Sequence, residues 1–156
     1  MQFDLKNVLF VCQANIGRSQ MAERFYSVYS RGKPAKSAGV DDFGKKYGYH
    51  PTPEIVQIMK EKGCQFDVSE QKIKQLTPDM LHQASVIVVF CEKERFLAKY
   101  RQYRGKAVFT PVPDPHEQSA ESIRRVRNQV ELIVKMLLTQ TSQAKDAQQN
   151  ILKSQI

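Results

Sequence analysis

Along this chain, short runs in which every position is apolar alternate with stretches whose apolar positions recur at helical spacing. Asn7 to Val11 is such a run, with Val on either side of Leu and Phe, and predicts a strand buried on both faces. Met21, Ala22, Phe25, Val28 and Tyr29 then predict an amphipathic helix from Arg18 to about Ser30, stopped by Arg31-Gly32-Lys33-Pro34. Ala35 to Val40 is a second, weaker strand. Asp41 to Pro51, with Gly44, Gly48 and Pro51 among polar and aromatic residues, is a long loop, where binding residues often sit. Thr52-Pro53-Glu54 opens a helix, with Thr as N-cap, Pro at the first helical position and an acid in the first turn; Gly63 ends it. Thr77-Pro78-Asp79 opens another. Ser85 to Phe90 is the clearest strand, and Glu92 to Tyr103 is helical in whole or in part. Ala107 to Thr110 is a fourth strand. Ser119 to about Thr139 is the longest helix, with Ile123, Val126, Val130, Ile133, Val134 and Leu137 on one face. Gln140 to Ile156 is polar and reads as a frayed helix end or a disordered tail, leaving residues 1–139 as the domain.

Strands alternating with helices imply a single α/β domain, a four-stranded parallel sheet with helices on both faces. Ligands of such sheets bind beyond the C-terminal ends of the strands, at the switch point. Cys12 ends the first strand, Asp41 to Phe43 follow the second, Cys91 ends the third and Asp114 follows the fourth, so the candidate residues converge on one edge.

A chain of 156 residues is long enough for one real core. Its 41% hydrophobic content is that of a globular domain, and no apolar run approaches a membrane span of roughly 18 or more residues. The N-terminus lacks a basic segment leading into an apolar one, so no secretory signal is expected. Three widely spaced cysteines do not make a disulfide framework and point to a reducing, cytoplasmic setting. The formal charge of +8 reads most simply as a solvated surface rich in Lys and Arg; the sharper readings are attraction of anionic substrates or a nucleic-acid partner. No nucleic-acid-binding motif accompanies it, so nucleic acid is not expected as a partner. Cys12, Cys64, Cys91, His50, His82 and His116 show no metal-ligand spacing, and no metal is expected.

The chemistry concentrates in Cys12-Gln13-Ala14-Asn15-Ile16-Gly17-Arg18-Ser19, between the first strand and the first helix. A lone Cys after an apolar run is usually a core residue. Here the helix N-terminus that follows makes an anion site, because free N–H groups and the dipole point into the loop. Both the helix end and a nearby guanidinium favour the thiolate, which is the nucleophile. Arg18 presents a fork that grips two phosphate oxygens at once. Ser19 either donates to the thiolate or caps the helix. Asn15 tolerates left-handed backbone angles and helps fold the loop so that its N–H groups face inward. The absence of Gly-Lys-Ser/Thr excludes a nucleotide P-loop.

Val8 to Glu23, as a block, resembles the signature of the low-molecular-weight protein tyrosine phosphatases and of the thioredoxin-coupled arsenate reductases that share their fold. Ser37-Ala38-Gly39 resembles their second strand. Val68-Ser69 through Gln75-Leu76-Thr77-Pro78-Asp79 resembles the connection to their third, and Val112-Pro113-Asp114-Pro115 resembles their general-acid loop. The resemblance covers roughly residues 6 to 138. It implies that Cys12 attacks phosphorus and forms a phosphocysteine, and that Arg18 and the amides of Gln13 to Gly17 stabilise the transition state. Asp114 would protonate the leaving oxygen and then activate water, without metal or other cofactor. It further implies a phosphorylated protein or small aryl phosphate as substrate and inorganic phosphate as product, with Ser19, Phe43 and His116 completing the substrate site.

The chain departs from the family pattern in four places. Gly17 stands where many members carry a second cysteine, so the neighbouring-thiol disulfide cannot form. Phe90-Cys91 stands where the phosphatases often have Met-Asp. Cys91 is then a backup thiol for Cys12, part of a reductase relay, or a buried residue. His116 replaces a common tyrosine and makes the pocket more polar, while Ile16, where the arginine phosphatases tend to carry Thr, favours an aryl phosphate. A cysteine-dependent phosphomonoester hydrolase of the protein tyrosine phosphatase type leads. An arsenate reductase using Cys12 and Cys91 and a non-catalytic phosphate-binding module are the alternatives.

Overall fold

A computed structural model describes residues 3–44, 48, 50–67, 71–115 and 118–154, with 141–154 as backbone alone. Four strands form one sheet: β1 (Val8–Cys12), β2 (Ala35–Gly39), β3 (Val86–Val89) and β4 (Ala107–Phe109). Their order is β2-β1-β3-β4 and every pairing is parallel, with Cys12 opposite Gly39 and Val8 opposite Val86. The chain leaves β1 toward one side and returns on the other. The switch point therefore lies between the C-terminal ends of β1 and β3, where the Phe90 N–H donates to the Val11 carbonyl at 2.8 Å.

β1 is buried at every position, as its unbroken apolar run requires. Alternate residues serve opposite faces. Val8, Phe10 and Cys12 face a core built with α1 (Arg18–Tyr29), α2 (Pro53–Lys60) and the last helix. Leu9 and Val11 face a second core with Leu81 of α3 (Pro78–Gln83) and Phe96 of α4 (Lys93–Tyr100). The single-domain, four-stranded parallel architecture is the one the sequence pattern predicts, with boundaries shifted by a residue or two.

Three local readings differ in detail. Thr77 caps α3 as its sequence predicts, its hydroxyl accepting from the Met80 N–H at 3.3 Å. Thr52 occupies the N-cap of α2 but its side chain makes no capping hydrogen bond. The helix expected over Glu92 to Tyr103 breaks at Tyr100 into a 3-10 turn over Arg101–Lys106. There the Lys106 ammonium turns back to the Leu81, His82 and Ala84 carbonyls at 2.9–3.0 Å. The last helix, α5, runs Ala120–Ser154, so the backbone is helical through the polar segment that follows Thr139. That segment holds no Gly or Pro up to Ser154 and is rich in Gln, Ala and Lys, which extend helices readily. Among the described residues, no helix is long and apolar enough to cross a membrane.

Candidate active site

The loop after β1 is folded by its neighbours on β2. The Val40 N–H donates to the Cys12 carbonyl and the Asp41 N–H to the Gln13 carbonyl, both at 2.9 Å. The approach is so close that a Cβ on Gly39 would lie 2.7 Å from the Ala14 carbonyl carbon and 2.9 Å from Asn15 N. Only glycine fits there. Asn15 takes the left-handed conformation its residue type tolerates, with φ of 58°. α1 begins at Arg18 with Gly17 as N-cap, so the first-turn N–H groups have no intrahelical acceptor and are available to an anion.

The Cys12 sulfur lies at the floor of this loop. The Asn15 N–H donates to it at 3.2 Å, and the Ser19 hydroxyl is 3.0 Å away. Ser19 is therefore not the helix cap; it is the second residue of α1 and sits against the sulfur. The Asn15 side-chain amide donates to Ser19 Oγ at 2.7 Å and to Ser37 Oγ at 3.0 Å. Its Oδ1 accepts from Gln20 Nε2 at 3.0 Å and from the Lys74 N–H at 2.9 Å. All of its hydrogen-bonding capacity is used, which holds the left-handed turn in place.

Arg18 is nearly buried and Nη1 donates to the Val112 carbonyl at 2.8 Å and to the Phe90 carbonyl at 3.3 Å. The segment carrying Asp114 is thus tied to the nucleophile loop by a side chain and to the residue after β3 by the Val112 N–H, which donates to the Phe90 carbonyl at 3.0 Å. Above the loop opens a cavity of about 530 Å³. Cys12, Gln13, Ala14, Ile16, Gly17, Arg18, Phe43 and Asp114 line it, so the structure brings these sequence-selected residues together. Gly17 closes one wall, where an added Cβ would meet the Pro115 ring at 3.0 Å. The arrangement can hold a tetrahedral oxyanion on main-chain N–H groups and a guanidinium, against a sulfur nucleophile, with the Asp114 carboxyl group also on the cavity lining.

Two residues read from sequence as substrate contacts are elsewhere. Asn15 and Ser19 are fully buried behind the loop rather than in the cavity, because their polar atoms are turned onto Ser37, Gln20 and Cys12. His116, and the Val68-Ser69 part of the motif, lie outside the described residues. Cys91 lines not this cavity but an adjoining one of about 360 Å³, which shares Gln13, Arg18 and Asp114 with it. Burial and the proximity of Cys12 push the Cys91 thiol up to about 11, against the opposing influence of Arg18. Thr52, Ile55, Gln118 and Ile123 also line the main cavity. In the sequence Ile55 and Ile123 mark only the core faces of their helices and Thr52 only a helix start, and nothing there says that the beginnings of α2 and α5 meet at the site. Among the described residues, no three His, Cys, Asp or Glu side chains cluster as metal ligands would.

Comparison with known proteins agrees with this geometry. Residues 7–149 match the model of the family described as low molecular weight phosphotyrosine protein phosphatase. The probable low molecular weight protein-tyrosine-phosphatase EpsP of Ralstonia solanacearum is 32% identical over 103 residues, spanning 65% of this chain and 68% of that protein. An arsenate reductase of Brevibacillus brevis is 29% identical over 126 residues, spanning 80% of this chain and 88% of that one. Among solved structures, the tyrosine phosphatase AmsI of Erwinia amylovora superposes with a TM-score of 0.76 at 22% identity, covering 86% of this chain and 91% of that one, a likeness of fold.

Proposed function

The chain belongs to the low molecular weight phosphotyrosine protein phosphatase family, a family of cysteine-dependent hydrolases, and we propose that Cys12, Arg18 and Asp114 carry its chemistry on a phosphotyrosine side chain. The observation that carries this reading is the seat of the Cys12 sulfur, which has the Asn15 N–H and the Ser19 hydroxyl at 3.2 and 3.0 Å. It lies at the base of a cavity that Asp114 also lines.

The reaction runs in two steps. Phosphate oxygens settle on the loop N–H groups and the Arg18 guanidinium. The Cys12 thiolate attacks phosphorus in line; an S–P bond forms as the P–O ester bond breaks, and Asp114 gives its proton to the departing oxygen. Asp114, now a carboxylate, takes a proton from water as that water attacks phosphorus. The S–P bond breaks, releasing phosphate and restoring the thiolate. Donors fixed by the fold stabilise the equatorial oxygens without reorganising. Phe43 and Ile55 supply apolar wall for an aryl ring. This supports an aryl phosphate, with a phosphorylated protein as its source.

The test is hydrolysis of para-nitrophenyl phosphate and of a phosphotyrosine peptide by wild type, Cys12→Ser and Asp114→Asn, with a chelator and a thiol reductant present. Loss of turnover with Cys12→Ser establishes the nucleophile; turnover that survives it refutes the reading. The buried Cys91 thiol, held protonated at neutral pH, argues against arsenate reduction through a Cys12–Cys91 relay, since the thiolate is the attacking species.

A further inference from the structure

Gln20 is fully buried on α1, one residue beyond the Arg18-Ser19 helix start, at a place where an apolar side chain would fill the space without desolvating an amide. Its amide is nonetheless satisfied on every side described. Nε2 donates to Asn15 Oδ1 at 3.0 Å and to the Lys72 carbonyl at 2.9 Å, while Oε1 accepts from Gln71 Nε2 at 3.4 Å.

The direction of each bond in this network is fixed by main-chain groups, which have only one role each. The Lys72 carbonyl can only accept, so the Gln20 NH₂ faces it. The Lys74 N–H can only donate, so Asn15 presents Oδ1 to it at 2.9 Å, and Gln20 Nε2 donates to the same oxygen. The Asn15 NH₂ is therefore turned onto Ser19 Oγ. Having accepted that bond, Ser19 has its own proton left for the Cys12 sulfur, 3.0 Å away. Ser37, which accepts the other Asn15 hydrogen, passes its proton to Glu23 Oε2 at 2.7 Å and does not compete for the sulfur.

We propose that Gln20 is a positioning residue for the reaction: anchored on the Lys72 carbonyl, it joins the Lys74 N–H in holding the Asn15 amide, and through it the Ser19 hydroxyl, so that a proton points at the Cys12 sulfur. It touches neither substrate nor sulfur. The inference rests on Cys12 as the nucleophile, and its readout does not need turnover.

The experiment follows the pH dependence of Cys12 alkylation by iodoacetamide, read by mass spectrometry of the Cys12 peptide. It is applied to wild type, Gln20→Met, Gln20→Glu, Ser19→Ala and the double variant Ser19→Ala/Gln20→Met. Gln20→Met keeps volume and removes the donors. Gln20→Glu keeps shape but sets a carboxylate against two acceptors. In both, the midpoint of Cys12 alkylation moves to higher pH, and kcat for para-nitrophenyl phosphate falls about fivefold to tenfold. In the Ser19→Ala background, Gln20→Met adds little, because its effect passes through the hydroxyl already removed. An alkylation profile unchanged from wild type, in either variant with wild-type circular dichroism, overturns the proposal. So does an effect of Gln20→Met that is equal with and without Ser19. If both Gln20 variants unfold, Gln20→Asn, which keeps the amide but shortens its reach to Asn15 Oδ1, must still shift the profile in the same direction, and an unshifted profile overturns the proposal. Should Cys12→Ser retain turnover, the reading of the nucleophile itself fails, independently of these results.

Discussion

Arg18 Nη1 lies 2.8 Å from the Val112 carbonyl oxygen, two residues before Asp114. One side chain thus joins the nucleophile loop to the segment that carries the candidate acid. Arg18→Lys removes the planar fork and cannot serve both the Phe90 and Val112 carbonyls in the same geometry. Steady-state kinetics are expected to show kcat lower by about 10²–10³, the usual loss for a transition-state donor. Thermal unfolding is expected to show a loss of about 1–3 kcal/mol, chiefly from the buried Val112 carbonyl, since the Phe90 carbonyl keeps the Val112 N–H as a donor.

Asp114→Asn should separate the two kinds of substrate. A phosphotyrosine peptide has a poor leaving group and needs the proton, so its kcat is expected to fall about 10²–10⁴-fold. para-Nitrophenolate departs with less help, and its turnover should fall less. Equal losses for both substrates would argue against Asp114 as the acid.

Gly39→Ala tests the packing of the loop against β2. The new methyl would meet main-chain atoms of Gln13, Ala14 and Asn15 at 2.7–2.9 Å, and main chain cannot swing aside as a side chain can. A destabilisation of about 1–3 kcal/mol is expected in denaturant unfolding, together with a loss of activity that tracks loop displacement rather than any lost side chain.

Lys106→Met should destabilise without inactivating. Its ammonium serves three carbonyls at the C-terminal end of α3, a place where the helix dipole also favours a cation. About 1–2 kcal/mol of stability is expected to disappear, with para-nitrophenyl phosphate hydrolysis unchanged, because none of these groups lines the cavity.

Cys91 makes stability fall at alkaline pH. Its thiol is pushed from 9.0 up to about 11 in the fold, so the folded state prefers the protonated form. The contribution is present in full below about pH 9 and is lost as pH rises through 11. Melting temperature is expected to decline over that window, and Cys91→Ala should flatten part of the decline. Tyr26, Tyr29 and Cys64, also raised by burial, contribute to the remainder.

By itself the sequence determined the alternation of strands and helices and the placing of Cys12, Arg18, Phe43 and Asp114 at one sheet edge. Those features follow from local rules: unbroken apolar runs make buried parallel strands, and parallel strands send their loops to a common edge. It also marked Asn15 as a residue that tolerates a left-handed turn, the conformation found there. What only the tertiary structure decided is the other side of each contact. That Asn15 and Ser19 turn away from the cavity, that Cys91 faces a neighbouring one, and that α2 and α5 supply its walls all depend on residues far apart in the chain. The same holds for Gln20, which in the sequence is one more polar residue on an amphipathic helix. Its meaning comes from main-chain groups more than fifty positions away, and periodicity carries no information about where a hydrogen bond at that distance will end.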